Sequence, residues 1–478
     1  MKELKTFLKQ KFGHSDFKIG QEETIKTVLE KNSALAILPT GTGKSLCYQF
    51  LGEYLACRVL IVSPLISLMQ DQVEQLRYQG EKAVIALNSN LSYDQKQLAL
   101  KNIARFKFIY VSPEMLTSNE LLARLRSLEI GLFVVDEAHC ISKWGPDFRP
   151  DYLNLGNLKE KLQIKRTLAL TATATKRVEQ DILKELRLKE TPIIRYPVDR
   201  NNIFLEVQKF ATPEEKKMYL LEKITSAKGP GVIYFSSKQK AEEINLELLE
   251  LGLASAVYHA GLELNERYLI QQQFLNDQLE IVCATSAFGM GINKQNIRYV
   301  IHYHLPSDLE SYVQEIGRCA RDGKKGNALL LYSPDDLVRQ RFILEKNLPD
   351  TTQIRYFYQK RQVLASFETE EAKVLQRLIA TGKSEQELIA MTETRREEKE
   401  LALTHLLAYL DEPQCKRRFI ANYFGDDPLP KHQENGCCSC GKGDSQIFQT
   451  ERVNKTAPPK IELGYEKYLA KLFAKDQH

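Results

Sequence analysis

No stretch of this chain approaches the run of about 18 apolar residues that a membrane-spanning helix requires. Its start, Met1-Lys2-Glu3-Leu4-Lys5, lacks the apolar centre of a signal peptide. Charge of one sign is not in excess either, since 67 Lys and Arg stand against 62 Asp and Glu, leaving +5. That balance permits nucleic-acid binding without requiring it. Tryptophan is nearly missing, with one residue in 478. These absences point to a cytoplasmic protein with no membrane partner. What is present, 43% hydrophobic and 27% charged residues, is the composition of a folded globular chain. Its length is too great for one core and suggests two to four domains.

The most informative stretch is Ala34-Leu35-Ala36-Ile37-Leu38, followed by Pro39-Thr40-Gly41-Thr42-Gly43-Lys44-Ser45 and Leu46-Cys47-Tyr48-Gln49. It reads as a buried strand, a glycine loop and a helix start. Gly41 and Gly43 let successive backbone N–H groups of Thr40 to Ser45 point into one cavity, where the helix N-terminus favours phosphate. Lys44 would reach the β- and γ-phosphates and the Ser45 hydroxyl would hold Mg²⁺. The strict pattern asks for glycine where Leu38 stands, so the match covers its second half. A plain glycine turn before a helix is the competing reading. Upstream, Phe17-Lys18-Ile19-Gly20-Gln21 offers an aromatic, a cation and an amide, which suit the face and edge of adenine but also decorate many helix starts.

Apolar runs ending in short polar turns, at 58–64, 108–113, 131–137 and 166–173, alternate with helix-like stretches, which predicts a parallel sheet covered on both faces. Function then belongs at the carboxyl ends of the strands, where Asp136-Glu137-Ala138-His139 falls. There Asp136 can hold Mg²⁺ and Glu137 can orient or deprotonate a water, unless the pair caps a helix. A second set of runs, at 231–235, 254–259, 280–285, 299–303 and 328–332, predicts a second sheet without a phosphate loop. It carries Gln314-Glu315-Ile316-Gly317-Arg318-Cys319-Ala320-Arg321, whose spacing places two arginines one helical turn apart on one face. Such a pair serves charge on a transferring phosphoryl group, or is merely a solvated face. Residues 191–212 read as the connection between the halves.

Of nine cysteines, five are scattered among apolar or motif residues, whereas Cys415, Cys437, Cys438 and Cys440 gather near the C-terminus. In a cytosolic chain that cluster argues for metal before disulfide. Between the second sheet and the cysteines, 337–409 reads as charged helices. Residues 373–391 fit a helix-turn-helix or a plain helical hairpin around Thr381-Gly382-Lys383.

The strings at 17–21, 39–49, 63–72, 136–152, 170–175, 258–262, 284–293 and 314–323 resemble, in order, the motifs of superfamily 2 helicases. The run Asp136-Glu137-Ala138-His139-Cys140-Ile141-Ser142-Lys143-Trp144-Gly145-Pro146-Asp147-Phe148-Arg149-Pro150-Asp151-Tyr152 resembles the RecQ family in particular. The resemblance covers roughly residues 1–440. It implies an α/β chain with two tandem RecA-like domains with parallel sheets (1–198 and 199–340), a helical zinc-binding subdomain (341–444) and a short basic tail (445–478). ATP would lie between the two domains, with DNA across their top.

By that resemblance Lys18 and Gln21 clamp adenine, Arg318 and Arg321 complete the catalytic set of Lys44, Asp136 and Glu137, and Arg321 is the finger. His139, Trp144, Phe148, Arg149, Thr171 and Thr173 would couple DNA to hydrolysis, although the sole tryptophan reads equally as a core residue. Cys415, Cys437 and Cys440 are three zinc ligands, with Cys438 or His432 as the fourth. Lys18, Ile19, Pro146, Cys319 and Ala320 depart from the residues commoner in the family. The activity implied is an ATP-dependent DNA helicase moving 3′ to 5′ on tailed or forked duplexes in repair, recombination or fork maintenance, with a single-strand-binding protein as a candidate partner. The alternative is a DNA-stimulated translocase that separates strands poorly, because the 38 residues after Cys440 are too few for a winged-helix or further helical domain.

Overall fold

A computed structural model gives the arrangement of the chain and describes residues 2–143, 150–289, 292, 294–346, 348–359, 375, 379, 384–427, 430 and 437–440. The apolar runs form strands, and their alternation sorts side chains to two faces. In β1 (Ser33–Ile37), Leu35 and Ile37 enter one core while Ala34 and Ala36 enter another. Leu60 and Val62 divide from Val59 and Ile61 in the same way in β2 (Arg58–Val62). With β3 (Val84–Leu87), β4 (Phe108–Val111), β5 (Ile130–Val135), β6 (Thr167–Thr171) and β7 (Ile193–Arg195), they form a parallel sheet of order β3-β4-β2-β5-β6-β1-β7. Burial on both faces explains why these strands read as unbroken apolar runs.

The second sheet contains β8 (Ile203–Lys209), β9 (Gly231–Tyr234), β10 (Ser255–Tyr258), β11 (Ile281–Ala284), β12 (Tyr299–His302) and β13 (Gly326–Tyr332), all parallel, in the order β10-β11-β9-β12-β13-β8. The connection between the halves is shorter than 191–212: Ile193–Arg195 pairs with β1 and Ile203–Lys209 with β13, leaving only 196–202 between sheets. Three strands absent from the sequence reading, β3, β7 and β8, are all short or carry polar residues within the run.

After β13, helices Pro334–Lys346, Thr351–Gln359, Glu385–Asp411 and Lys416–Phe424 follow. The third starts at a capping box made by Ser384 and Glu387. The turn at Thr381-Gly382-Lys383, and with it the helix-turn-helix question, lies outside the described residues, as does the 445–478 tail. Among the described residues, the C-terminal helices divide between two cores: Ile354, Leu375 and Leu388 form a small cluster of their own, whereas the later part joins the second sheet. Leu406, Tyr409, Leu410, Ile420 and Phe424 pack in one cluster with Val232, Val300 and Leu330 of the second sheet. Cys437–Ser439 continues that union, because Leu205 N–H donates to the Cys437 carbonyl (3.4 Å) and Ser439 N–H to the Leu205 carbonyl (2.8 Å), laying the segment along the outer edge of β8. Among the described residues, no helix is long and apolar enough to cross a membrane.

Candidate functional site between the two sheets

The glycine loop stands at the carboxyl end of β1 and opens the helix Ser45–Tyr54. Gly41 has φ of +86°, a region closed to most side chains, so the loop can turn back on itself there. Thr42 Oγ1 donates to the Pro39 carbonyl at 2.8 Å and fixes the turn. Gln21, buried, uses its amide inside the chain: Nε2 donates to the carbonyls of Thr42 (2.7 Å) and Gly43 (3.0 Å), and Oε1 accepts from Lys18 N–H (2.8 Å). Lys18 Nζ reaches the Gly41 carbonyl at 3.4 Å. The residues expected to clamp adenine therefore brace the phosphate loop directly.

Asp136 and Glu137 follow β5. Burial, with the Glu137 charge beside it, pushes the Asp136 carboxyl up to about 7, against the pull of Lys44. A buried carboxylate strained upward in this way fits a divalent cation, which would favour its ionised form, and the Ser45 hydroxyl at the helix start supplies a second hard oxygen. Glu137 has φ of +49°, a conformation costly for a residue with a side chain. Its Oε2 lies 3.3 Å from His139 Nδ1, which is also 2.9 Å from Thr171 Oγ1. Because Thr171 Oγ1 donates to the Thr173 carbonyl (3.0 Å), it receives from His139, whose proton is thereby assigned to Nδ1. His139, Thr171 and Thr173 thus form one hydrogen-bonded line at the end of β6, with the Glu137 carboxylate beside its first member but not bonded to it.

The arginines come from the second sheet's body, in an arrangement the spacing did not predict. The helix Leu309–Ile316 stops before them, its C-cap is Gly317, and Ala320 has φ of +51°. Arg318 and Arg321 therefore sit on a turn, not on one helical face. Gly317 is required by close approach: Thr40 Oγ1 donates to its carbonyl at 2.9 Å, and a Cβ there would collide with the Thr40 side chain. Arg318 is buried and donates through Nη1 to the Gly289 carbonyl. Arg321 Nη1 donates to the Ile292 carbonyl (2.8 Å), and burial together with Arg318 and Arg200 lowers it to about 10. Glu137 acts on Arg321 in the opposite direction, which places the arginine within electrostatic reach of the carboxylate across the cleft.

Two residues passed over in the sequence complete the junction. Arg200 contacts backbone carbonyls on both sides of it, and Arg417 joins it to the cysteine lobe. In the sequence, Asp199-Arg200-Asn201-Asn202-Ile203 resembles the family's linker entry and Arg417 falls in Cys415-Lys416-Arg417-Arg418-Phe419, and neither run marks its arginine as functional. A small cavity of about 30 Å³, lined among others by Thr40, Thr173, Arg200, Gly317, Arg417 and Ile420, marks where the two sheets and the C-terminal helices meet. Trp144, Phe148 and Arg149 lie outside the described residues, so the aromatic loop is not placed.

At the cysteine cluster, the sulfurs of Cys415, Cys438 and Cys440 lie within 4.8 Å of one another. Cys415 Sγ is 3.6 Å from Cys437 Sγ and 3.8 Å from Cys438 Sγ, while Cys438 and Cys440 sulfurs are 2.8 Å apart. Four thiolates about 2.3 Å from one tetrahedral ion are about 3.8 Å apart, a spacing that the Cys415–Cys437 and Cys415–Cys438 pairs match and the closer Cys438–Cys440 pair does not, so the chemistry of the donors suits zinc. The mutually close trio includes Cys438 in place of the expected Cys437. His432 lies outside the described residues.

Comparison with known proteins adds the following. Residues 18–182 match the DEAD/DEAH box helicase family and residues 215–323 the helicase conserved C-terminal domain. The chain is 42% identical over 475 residues to the "Probable ATP-dependent DNA helicase RecS" of Bacillus subtilis, covering 96% of each. It is 40% identical over 375 residues to the ATP-dependent DNA helicase RecQ of Haemophilus influenzae, covering 78% of this chain and 60% of that one. Among solved structures, the Mycobacterium smegmatis helicase Lhr bound to ssDNA and AMP-PNP is similar with a TM-score of 0.59 at 20% identity, covering 71% of this chain and 49% of that one. The DEAD-box helicase Mss116 bound to ssRNA gives 0.61 at 19% identity, covering 80% and 88%. Both structures share the tandem-domain fold.

Proposed function

Because the chain belongs to the RecQ family of superfamily 2 helicases, we propose that it is an ATP-dependent DNA helicase that tracks 3′ to 5′ and acts in DNA repair and recombination. The observation that carries this reading is the meeting of Thr40 with Gly317, which sets the phosphate loop of one body against the arginine turn of the other. In this reading Lys44 and the loop N–H groups hold the ATP phosphates. Mg²⁺, held by Ser45 and Asp136, supplies charge neutralisation when bound. Glu137, beside His139, orients the attacking water, and Arg321 with Arg318 meets the charge that develops as the γ-phosphoryl departs. Hydrolysis therefore requires closure, and product release permits opening.

Repeated closure with alternating grip on single-stranded DNA gives movement, and exclusion of one strand gives unwinding. Tailed or forked duplexes are the substrates that fit, in the cytoplasm or on the nucleoid, and a single-strand-binding protein would meet this enzyme on the same strand. Zinc is the metal proposed for Cys415, Cys437, Cys438 and Cys440, in a structural role.

The test is strand release from a 3′-tailed duplex, with a 5′-tailed duplex and Lys44→Ala as controls. Release that needs Lys44 and the 3′ tail supports the helicase. DNA-stimulated ATP hydrolysis without strand release would replace it with a translocase.

A further inference from the structure

Arg200 occupies the short connection between the sheets, and every donor of its guanidinium has a partner. Its Nη1 reaches the carbonyls of Thr40 (3.3 Å) and Gly317 (3.5 Å). Its Nη2 reaches those of Cys319 (3.3 Å) and Ala320 (2.6 Å), and Nε reaches Asn202 Oδ1 (3.3 Å). A guanidinium has five N–H groups, so the fork is fully used. Four of the five acceptors belong to the second body or to the connection; only the Thr40 carbonyl belongs to the phosphate loop.

The geometry around the arginine turn gives these contacts a purpose. Ala320 adopts a conformation that a residue with a Cβ rarely holds. Its carbonyl receives Arg200 and also Asn202 Nδ2 (2.9 Å), while its N–H donates to the Ile297 carbonyl (2.7 Å). Arg321 is the next residue. The backbone of Arg200 is itself clamped, because its carbonyl accepts from Arg417 Nη1 (2.9 Å), and Arg417 also bonds Asp199 and the carbonyls of Ile203 (2.5 Å) and Cys437 (3.2 Å).

We propose that Arg200 is a positioning residue for ATP hydrolysis: it shapes the 317–321 turn that aims Arg321 and ties that turn to the phosphate loop only when the cleft is closed. Opening the cleft takes Thr40 away and leaves the other four bonds intact, so closure adds one bond to a side chain already preorganised. Lysine offers a point charge without the planar fork and cannot serve four diverging carbonyls.

The inference rests on the ATPase reading above, and the test separates the two. Full-length wild type, Arg200→Ala, Arg200→Lys, Arg321→Ala and the Arg200→Ala/Arg321→Ala double variant are compared for ATP turnover on saturating single-stranded DNA, binding of a fluorescent ADP and melting temperature. Expected for Arg200→Ala is a kcat loss of roughly 100-fold, since misplacing a catalytic group by about an ångström has that effect. KM and ADP affinity should stay within about threefold, Arg200→Lys should recover little, and the double variant should be no slower than Arg321→Ala. Full activity in Arg200→Ala, losses that multiply in the double variant, or a kcat loss explained by unfolding at the assay temperature would each overturn the proposal. A wild type inactive on ATP would overturn the ATPase reading as well.

Discussion

Asp136 is pushed up to about 7 by burial and by Glu137. The folded chain therefore keeps a proton that the unfolded chain releases near pH 4, and this carboxyl stabilises least where it is ionised. Its contribution is fully present below pH 4 and is lost as pH rises through about 7. Asp136→Asn is expected to raise the melting temperature at pH 8 by at least about 2–4 °C relative to wild type, with the gap closing by pH 4. Asp71 and Asp426, pushed up to about 7 and about 6, titrate in the same window, so the wild-type-minus-variant difference is the quantity to follow. A difference that ignores pH would return Asp136 to the ordinary range. Gly317→Ala is expected to hold the cleft open, lowering DNA-stimulated ATP turnover by roughly 100-fold while ADP still binds; turnover within twofold of wild type would show that Thr40 and residue 317 need not touch. At this scale the candidates were legible, because Lys44, Asp136 and the two arginines are chemically distinctive residue types beside strand ends and glycines, although the spacing of the arginines misled on how they are held. Arg200 was not, because all but one of its partners are backbone carbonyls, which every residue has and no sequence displays.

The helix Leu309–Ile316 shows why spacing misled at the level of elements. Three residues apart means one face only while the helix continues, and Gly317 ends it. Strands β3, β7 and β8 were missed for the opposite reason: Ile193-Ile194-Arg195 is too short to stand out, and Glu206, Gln208 and Lys209 disguise β8 as linker. Tertiary pairing decided both. One contact between elements has a measurable consequence. Lys216 on helix Pro213–Ser226 meets Asp336 on helix Pro334–Lys346 at 2.8 Å with both side chains buried, and Lys216 Nζ also lies 4.5 Å above the Tyr303 ring. Removing one partner leaves a buried charge alone, so Lys216→Ala is expected to cost about 3–5 kcal/mol in urea unfolding. A loss below about 1 kcal/mol would mean that water reaches Asp336 easily.

Across the whole molecule, the two parallel sheets and the helical C-terminal region stand as read from the sequence, and the cysteine-bearing end of that region packs onto the second sheet. Residues 406–424 and the cysteines share a core with the second sheet, and Arg417 fastens them to the connection between bodies. Chelation is accordingly expected to shift the thermal transition of the second body as a whole, releasing about one zinc per chain, measured by calorimetry alongside a metal-indicator dye; a separate, lower transition for the lobe would show that the cores are independent. That shared burial was not legible, because it depends on which helices return to the sheet. The same docking settles how the chain would fail. The segment Cys437–Ser439 bonds the outer edge of β8 at Leu205 and, through the Ser439 hydroxyl, at Val207, and with it gone those backbone groups would be open to another strand. Oxidation of those thiols would then announce itself first as concentration-dependent self-association of an otherwise native protein, with loss of catalysis coming afterwards.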